Sequence, residues 1–195
     1  MASLGHIAIG IAAGRFHGEP RTKVAWMGAF TVLSLAPDLD VIGFPLGIAY
    51  EDPFGHRGAS HALLVALLGG LVAVAPQRHR MRGALLGVAV LASHGLLDSL
   101  TDGGLGAALF WPFSEARHFA PWRPIPVAPI GAGLVSARGI YVLAVEAVVF
   151  SPLLIYGLWP RRAEPKLSDD DDADRGAREP GPPAPTARRS ESPDR

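Results

Sequence analysis

The chain has 195 residues with 18 basic and 18 acidic side chains, so its formal net charge is zero. It contains no cysteine, which excludes a disulfide framework, a thiolate metal site and a cysteine nucleophile. The neutral balance argues against a nucleic-acid-binding protein, which needs a basic face. Any metal site in this chain therefore depends on His, Asp and Glu side chains.

The composition changes abruptly after residue 160. Residues 161–195 hold eight Lys or Arg, nine Asp or Glu and six Pro, and Leu167 is the one large aliphatic residue among them. A segment so poor in apolar residues cannot offset the entropy lost on ordering, so we predict a disordered, charged and Pro-rich tail at 161–195. Residues 1–160 are predicted to form a membrane-embedded helical domain.

Five apolar runs fill residues 1–160 and predict an all-α fold. The last run, Gly139–Trp159, contains a single charged residue, Glu146, and reaches the length of about 20 residues that a bilayer span requires. The other runs are shorter, and their flanks extend them towards a full span. We expect a helical bundle of four transmembrane helices plus a short N-terminal helix, with a soluble all-helical domain as the alternative. The other four runs are Leu4–Gly14, Val24–Tyr50, Ala62–Ala75 and Gly83–Leu97.

The ionisable residues between these runs are sorted by type. Basic residues occupy alternate connections, and His and Asp residues occupy the others. If successive helices are antiparallel, the basic connections all lie on one side of the membrane, which the positive-inside rule places in the cytoplasm. We therefore expect a multi-pass protein of the inner (plasma) membrane with its His and Asp cluster on the non-cytoplasmic side. The basic positions are Arg15, Arg21, Lys23, Arg78, Arg80, Arg82, Arg161, Arg162 and Lys166.

The His and Asp residues have spacings that suit metal ligands. His94 and Asp98 are four residues apart, which places an imidazole and a carboxylate on one helix face. Asp38 and Asp40 follow Pro37 in a turn where both can face one cavity, and carboxylates that close repel each other unless a cation or a shared proton intervenes. The candidate metal ligands are His6, Asp38, Asp40, His56, His61, His94 and Asp98.

This ligand set predicts metal-assisted hydrolysis. It exceeds the needs of one tetrahedral ion, so we expect a divalent metal, zinc first, in a site of two or more ions, with Mn or Mg as alternatives. Asp40 or Asp98 is expected to handle the proton of a metal-activated water. Arg57 is expected to pair with a substrate phosphate as a planar fork, and Ser60 to cap the following helix.

Residues 1 to about 155 contain an ordered set of motifs: Gly5-His6, Pro37-Asp38-Leu39-Asp40, Gly55-His56-Arg57-Gly58, Ser60-His61, Ser93-His94 with Asp98 and Thr101, and Trp111-Pro112-Phe113. This set resembles the YdjM-like family of bacterial inner-membrane proteins. The resemblance implies a metal-dependent hydrolase and leaves the substrate open. A fainter similarity to the zinc-dependent phospholipase C and single-strand nuclease group implies a phosphoester, and the membrane setting favours a lipid-linked one.

Two further segments carry candidate residues. Residues 102–138 form a long aromatic connection that is either a lid or an interfacial loop, and His118 within it is expected to be solvated. Glu146 lies inside an apolar run, where an acid is functional by default, and we expect it to support a ligand histidine rather than to bind metal directly.

Two other classes of function compete with the hydrolase. The same cluster could serve a transporter or ion-binding membrane protein that performs no chemistry, or a structural protein whose helices are held together by metal. The expected partners are membrane lipid and a small-molecule or lipid-linked phosphoester. No nucleic acid and no obligate protein partner is expected.

Overall fold

The computed structural model describes residues 4–73 and 80–160, and these residues contain six α-helices. Within these residues there are no strands, only two isolated bridges that join Thr101 to Ile125 and Ala107 to His118. The predicted all-helical fold is therefore confirmed, while the predicted tail at 161–195 lies outside the described residues. The helices are α1 Leu4–His17, α2 Lys23–Leu35, α3 Leu63–Ala73, α4 Arg80–Ser99, α5 Ala137–Val149 and α6 Ser151–Leu158.

By length and composition, fewer of the described helices could cross a membrane than the four that the sequence predicted. Helix α2 continues into a 3₁₀ segment, Ala36–Leu46, and the combined element Lys23–Leu46 is the one described stretch that is by itself long and apolar enough to cross a membrane. Helices α5 and α6 pass the same test together but are bent by 67°. Helix α3 is apolar but has 11 residues. The described residues thus provide one candidate span, or two if the bent pair counts as one.

The bend divides the last apolar run into two helices. Helix α5 ends at Val149, and α6 begins at Ser151 with Pro152 in its first turn. Proline lacks a backbone N–H and its ring clashes with the preceding turn, so it is tolerated at the start of a helix and not in the interior. The local sequence therefore favours a new helix where the hydropathy pattern alone predicted one continuous segment.

Helices α1 and α2 are packed closely through glycines. Gly10 and Gly14 lie one turn apart on α1 and face the backbone of α2 at Thr31 and Met27, where a Cβ atom would collide with main-chain atoms. Small residues at such spacing allow two helix backbones to approach each other, a common arrangement in membranes. This contact fixes α1 against the helix that leads into Asp38.

Helices α1 and α4 are antiparallel and contact each other near both ends. At one end the rings of His6 and His94 are stacked with centroids 3.7 Å apart. At the other end the Arg82 guanidinium contacts the carbonyl oxygen and the ring of Phe16. Arg82 therefore lies at the opposite end of this helix pair from the two candidate ligands.

Candidate metal centre

All seven predicted ligands belong to one network of close contacts. They come from the start of α1, the 3₁₀ segment Ala36–Leu46, the loop that ends at His61, and the second half of α4. The contacts link His6 to Asp98, Asp98 to His61, His61 to both aspartates of the 3₁₀ segment, and these to His56 and His94. Residues far apart in sequence thus meet at one buried point.

Four of these residues form a group of the size that one metal ion needs. One ligand atom from each of Asp38, His61, His94 and Asp98 lies within 4.8 Å of the others. Nε2 of His94 is 3.3 Å from Oδ1 of Asp38, and Nε2 of His61 is 3.3 Å from Oδ2 of Asp98 and 3.8 Å from Oδ1 of Asp38. A tetrahedral ion with bonds of about 2.0–2.1 Å separates its ligand atoms by about 3.3–3.4 Å.

The backbone of α2 fixes the tautomer of His94. Nδ1 of His94 lies 2.6 Å from the carbonyl oxygen of Ser34, which can only accept a hydrogen bond. Nδ1 therefore carries the proton, and in the neutral ring Nε2 presents its lone pair to Asp38. This arrangement, with one ring nitrogen held by an acceptor, is typical of metal-binding histidines.

A serine hydroxyl fixes the tautomer of His61 in the same way. Ser60 Oγ donates a hydrogen bond to Oδ2 of Asp40 at 2.6 Å and lies 2.9 Å from Nδ1 of His61. Because the hydroxyl proton is committed to the carboxylate, Nδ1 of His61 must donate to Oγ, and Nε2 is directed at Asp38 and Asp98. Ser60 thus connects two cluster residues, a role that the predicted helix cap does not include.

Contacts with carboxylates also control the protonation of His61. Burial disfavours the imidazolium, but hydrogen bonds with Asp40 and Asp98 outweigh this effect and raise the pKa of His61. A proton on Nε2 of the metal-free ring would lie towards Oδ2 of Asp98, 3.3 Å away. A metal ion bound by Nε2 of His61 would displace this proton.

Asp40 accepts several hydrogen bonds at once. Its Oδ1 accepts from Nδ1 of His56 at 2.7 Å, and its Oδ2 accepts from Ser60 Oγ and from the backbone N–H of Arg57 at 3.1 Å. Asp40, His56 and His61 form a second group with ligand atoms within 4.8 Å of one another. A neutral imidazole has one free lone pair, so His61 can serve one of the two groups at a time.

His6 lies beside the four-residue group. Its Nε2 is 3.7 Å from Oδ1 of Asp98, its ring is 1% exposed, and neither ring nitrogen has a hydrogen-bond partner among the described residues. Glu146, which is fully buried, accepts the backbone N–H of Gly5 at 3.1 Å. The acid that the sequence placed inside an apolar run therefore anchors the turn of α1 that carries His6.

Arg57 is a buried partner of Asp98. Its Nε is 3.0 Å from Oδ2 of Asp98, and its Nη1 donates to Thr101 Oγ1 at 2.9 Å and to the carbonyl of Gly103 at 3.1 Å. The residue has a φ of 62°, in the left-handed region that non-glycine residues rarely adopt and that is often found at functional sites. The sequence predicted a fork for substrate phosphate, and the structure shows Nε and Nη1 engaged within the protein.

A cavity of about 210 Å³ adjoins the cluster. Asp38, whose side chain is 26% exposed, lines it together with His56, Arg57 and Tyr50. The loop that supplies His56 is held by Arg117, whose guanidinium donates to the carbonyl oxygens of His56 at 2.8 Å and of Tyr50 at 3.1 Å. The cluster is therefore accessible through Asp38, while its other members are deeply buried.

Some residues singled out by the sequence lie outside this network. Asp102 is half-exposed and accepts the backbone N–H of Val127 at 2.7 Å. His118 packs edge-on against Phe110 and belongs to neither of the two groups of candidate ligands among the described residues. Sequence reasoning also missed Gly95, where a Cβ atom would collide with the carbonyl of His61, so glycine is what lets the loop meet α4. The sequence signal that could have identified Gly95 is its position directly after the candidate ligand His94.

The cluster fits a divalent cation by the chemistry of its donors. The Nε2 atoms of His61 and His94 face carboxylate oxygens, and Nε2 of His61 and of His6 has no hydrogen-bond partner among the residues that the structure describes. Three carboxylates converge with one guanidinium, which leaves an excess of buried negative charge. Buried charge is costly unless it is paired or coordinates a metal, and a divalent ion would meet both needs.

Comparisons with known proteins agree with the resemblance in the motifs. The sequence model of the family described as YdjM inner membrane protein matches residues 1–163. The chain is 37% identical over 166 residues to a protein named inner membrane protein YbcI from Escherichia coli (strain K12), covering 80% of this chain and 96% of that protein. No solved structure matches the chain.

Proposed function

The chain belongs to the YdjM family of inner membrane proteins, and we propose that it is a membrane-bound, metal-dependent hydrolase that cleaves a phosphoester. One observation carries this proposal. Two buried imidazoles, His61 and His94, each have Nδ1 bound by an acceptor and Nε2 directed at carboxylates, at separations that suit ligands of one ion.

Asp38, His61, His94 and Asp98 would hold the ion. Zinc is the favoured metal because two of the ligand-to-ligand distances are 3.3 Å, close to the value for tetrahedral zinc. When bound, the ion supplies a Lewis acid that polarises a phosphoryl oxygen and lowers the pKa of a water. With His61 serving the first ion, His6 and the pair of Asp40 and His56 are the places where a second ion would find donors.

His56 is the side chain best placed to accept a proton at the cavity. Its Nδ1 donates to Asp40 at 2.7 Å, which orients the ring, and the residue lines the cavity beside Asp38. An imidazole oriented by a carboxylate is a common general base. Asp98 is 1% exposed and paired with Arg57, so we assign it to metal binding and not to proton transfer.

We also propose the multi-pass arrangement with four spans and with the cluster on the non-cytoplasmic side. Large apolar side chains are exposed on a helix of each of the four spans, at Val32 on α2, Val72 on α3, Leu85 on α4 and Val148 on α5, as lipid contact requires. The positive-inside rule supports the orientation. A cysteine-accessibility assay that labels position 113, which is 84% exposed on the side of the cluster, from outside and position 82 from inside tests it, and the reverse pattern would exclude it.

The test of the function combines metal analysis with turnover. The purified protein in lipid nanodiscs is expected to retain a stoichiometric divalent metal and to hydrolyse a generic phosphodiester such as bis(p-nitrophenyl) phosphate. His94→Ala should lose both, while His17→Ala, at the opposite end of α1, should keep both. Protein that folds but takes up no metal would rule out the proposal. Metal binding without hydrolysis, with ion flux across proteoliposomes, would favour the transporter.

A further inference from the structure

The cavity beside the cluster has two unlike halves. One half consists of Asp38, His56, Arg57 and Tyr50, which are polar or charged. The other half consists of aliphatic side chains, chiefly Val127, Ile130 and Leu134 from the segment 127–134, while Val41 lines the cavity one 3₁₀ turn after Asp38. A ligand that fills this cavity must therefore present a polar group at one end and an apolar body at the other.

The polar half is suited to an anionic group. Asp38 belongs to the proposed ion site, so a ligand group beside it would contact the ion. A phosphate at this end would meet the positive charge of the ion, and the phenol of Tyr50 offers a donor, whereas the Arg57 guanidinium is already paired with Asp98. A neutral or cationic group would gain nothing from the charge of the ion.

The apolar half continues beyond the cavity. Ile130 is 50% exposed, and the chain neighbours of two lining residues, Ile42 and Val135, are 57% and 83% exposed. The wall itself is fixed, because Asp102 accepts the backbone N–H of Val127 at 2.7 Å. The apolar surface thus extends from the cluster to residues that face the surroundings, which in a membrane protein include the lipid acyl chains.

We propose that this cavity is the substrate site and that its substrate is a phosphoester of a long-chain alcohol. The inference rests on the proposed function, since it takes the cluster to be the place of reaction. A volume of about 210 Å³ holds the phosphate and the first few carbons, and the rest of the chain lies along the exposed aliphatic residues in the bilayer. The polar half orients the ester bond towards Asp38.

Binding of a homologous series of inhibitors tests the assignment separately from catalysis. Methyl-, butyl- and octylphosphonate carry the same anionic group and differ only in apolar length. Titration calorimetry on metal-loaded protein in nanodiscs, corrected with empty nanodiscs for partition into lipid, should show affinity that rises by about fourfold for each methylene group that becomes buried. The rise should stop once the chain leaves the cavity.

A matched pair of variants connects this gain to the aliphatic half. Leu134→Asn should abolish the gain with chain length and leave methylphosphonate affinity unchanged, whereas Val135→Asn, one residue away and largely exposed, should retain at least part of it. Equal affinity for all three phosphonates in the native protein would overturn the substrate assignment. Absence of phosphodiesterase activity together with chain-length-dependent binding would overturn the proposed function and leave the binding site in place.

Discussion

The Nδ1 atom of His94 lies 2.6 Å from the backbone carbonyl oxygen of Ser34. This contact joins the second half of α4 to the end of α2 and determines which nitrogen of His94 is available to an ion. It also places Nε2 3.3 Å from Asp38, four residues after Ser34. One hydrogen bond to the main chain therefore positions two proposed ligands relative to each other.

We predict that metal affinity depends on Nε2 of His94, the nitrogen that this contact leaves available to an ion. The side-chain amide of Gln reaches the position of Nε2, whereas that of Asn reaches the position of Nδ1. His94→Gln should therefore weaken metal binding less than His94→Asn, and His94→Ala should weaken it by more than the roughly 100-fold that loss of a supporting residue can cost. Competition titration with a chromophoric chelator measures all three. Asn binding metal better than Gln would contradict the assignment.

We predict that the hydroxyl of Ser60 supports the ion site without contacting it. Ser60→Ala removes the hydroxyl that bridges His61 and Asp40, leaves only the direct contact of 3.3 Å between Nδ1 of His61 and Oδ2 of Asp40, and should weaken metal binding by about 10- to 100-fold. Ser60→Thr retains the hydroxyl and should restore most of the affinity. Ser93→Ala is a suitable control, because Ser93 Oγ donates only to the carbonyl of Val90 in its own helix. An unchanged metal affinity in Ser60→Ala would show that the hydroxyl of Ser60 does not support the ion site.

Metal affinity should increase with pH. The carboxylates around His61 raise its pKa above the ordinary value of histidine, so the metal-free ring keeps its proton to a higher pH. Below that pKa each ion displaces a proton, and the logarithm of the affinity should rise by about one per pH unit; above it this dependence disappears. Calorimetry in buffers with different ionisation enthalpies measures the proton release. Binding without proton release at acidic pH would contradict this result.

The close approach of the loop to α4 at Gly95 should be intolerant of a methyl group. In Gly95→Ala the new Cβ collides with the carbonyl oxygen of His61, so we expect a loss of stability of about 1–3 kcal/mol together with weaker metal binding. Gly28→Ala is the matched helical control, since a Cβ there meets nothing within 4 Å. It should be neutral or stabilise by up to about 1 kcal/mol. Thermal unfolding with and without metal measures both changes, and equal behaviour of the two variants would argue against the steric explanation.

Glu146 should act on the cluster through the start of α1. Glu146→Gln keeps an oxygen that can accept the N–H of Gly5, whereas Glu146→Ala leaves that buried N–H unsatisfied at a cost of about 1–3 kcal/mol. The Ala variant should therefore be less stable and should bind metal more weakly, because His6 follows Gly5 directly. Unfolding curves and metal titration of both variants provide the check. Similar loss in both would indicate that the charge, and not the acceptor, is required.

Much of the site could be predicted because the relevant residue types are rare in apolar sequence. His6, His94, Asp98 and Glu146 stand out against uncharged runs, and the positions of the first three towards helix ends followed from the alternation of basic and acidic connections. The division of the last apolar run at Phe150 could not be read from hydropathy, since the residues on both sides of the bend are equally apolar. The local signal was Pro152, whose effect on helix continuity is not represented in a hydropathy scale.

The sequence by itself determined that this protein is helical and that any metal site must use His, Asp or Glu, and it singled out the residues that the structure brings together, because composition and periodicity are local properties. Only the tertiary structure decided their roles. The carbonyl of Ser34 determines which nitrogen of His94 is available, and the hydroxyl of Ser60 does the same for His61. Arg57 is paired with Asp98, and Leu134 lines the cavity that Asp38 also lines. Main-chain acceptors and cavity walls are formed by segments distant in sequence, and no residue type marks them in advance.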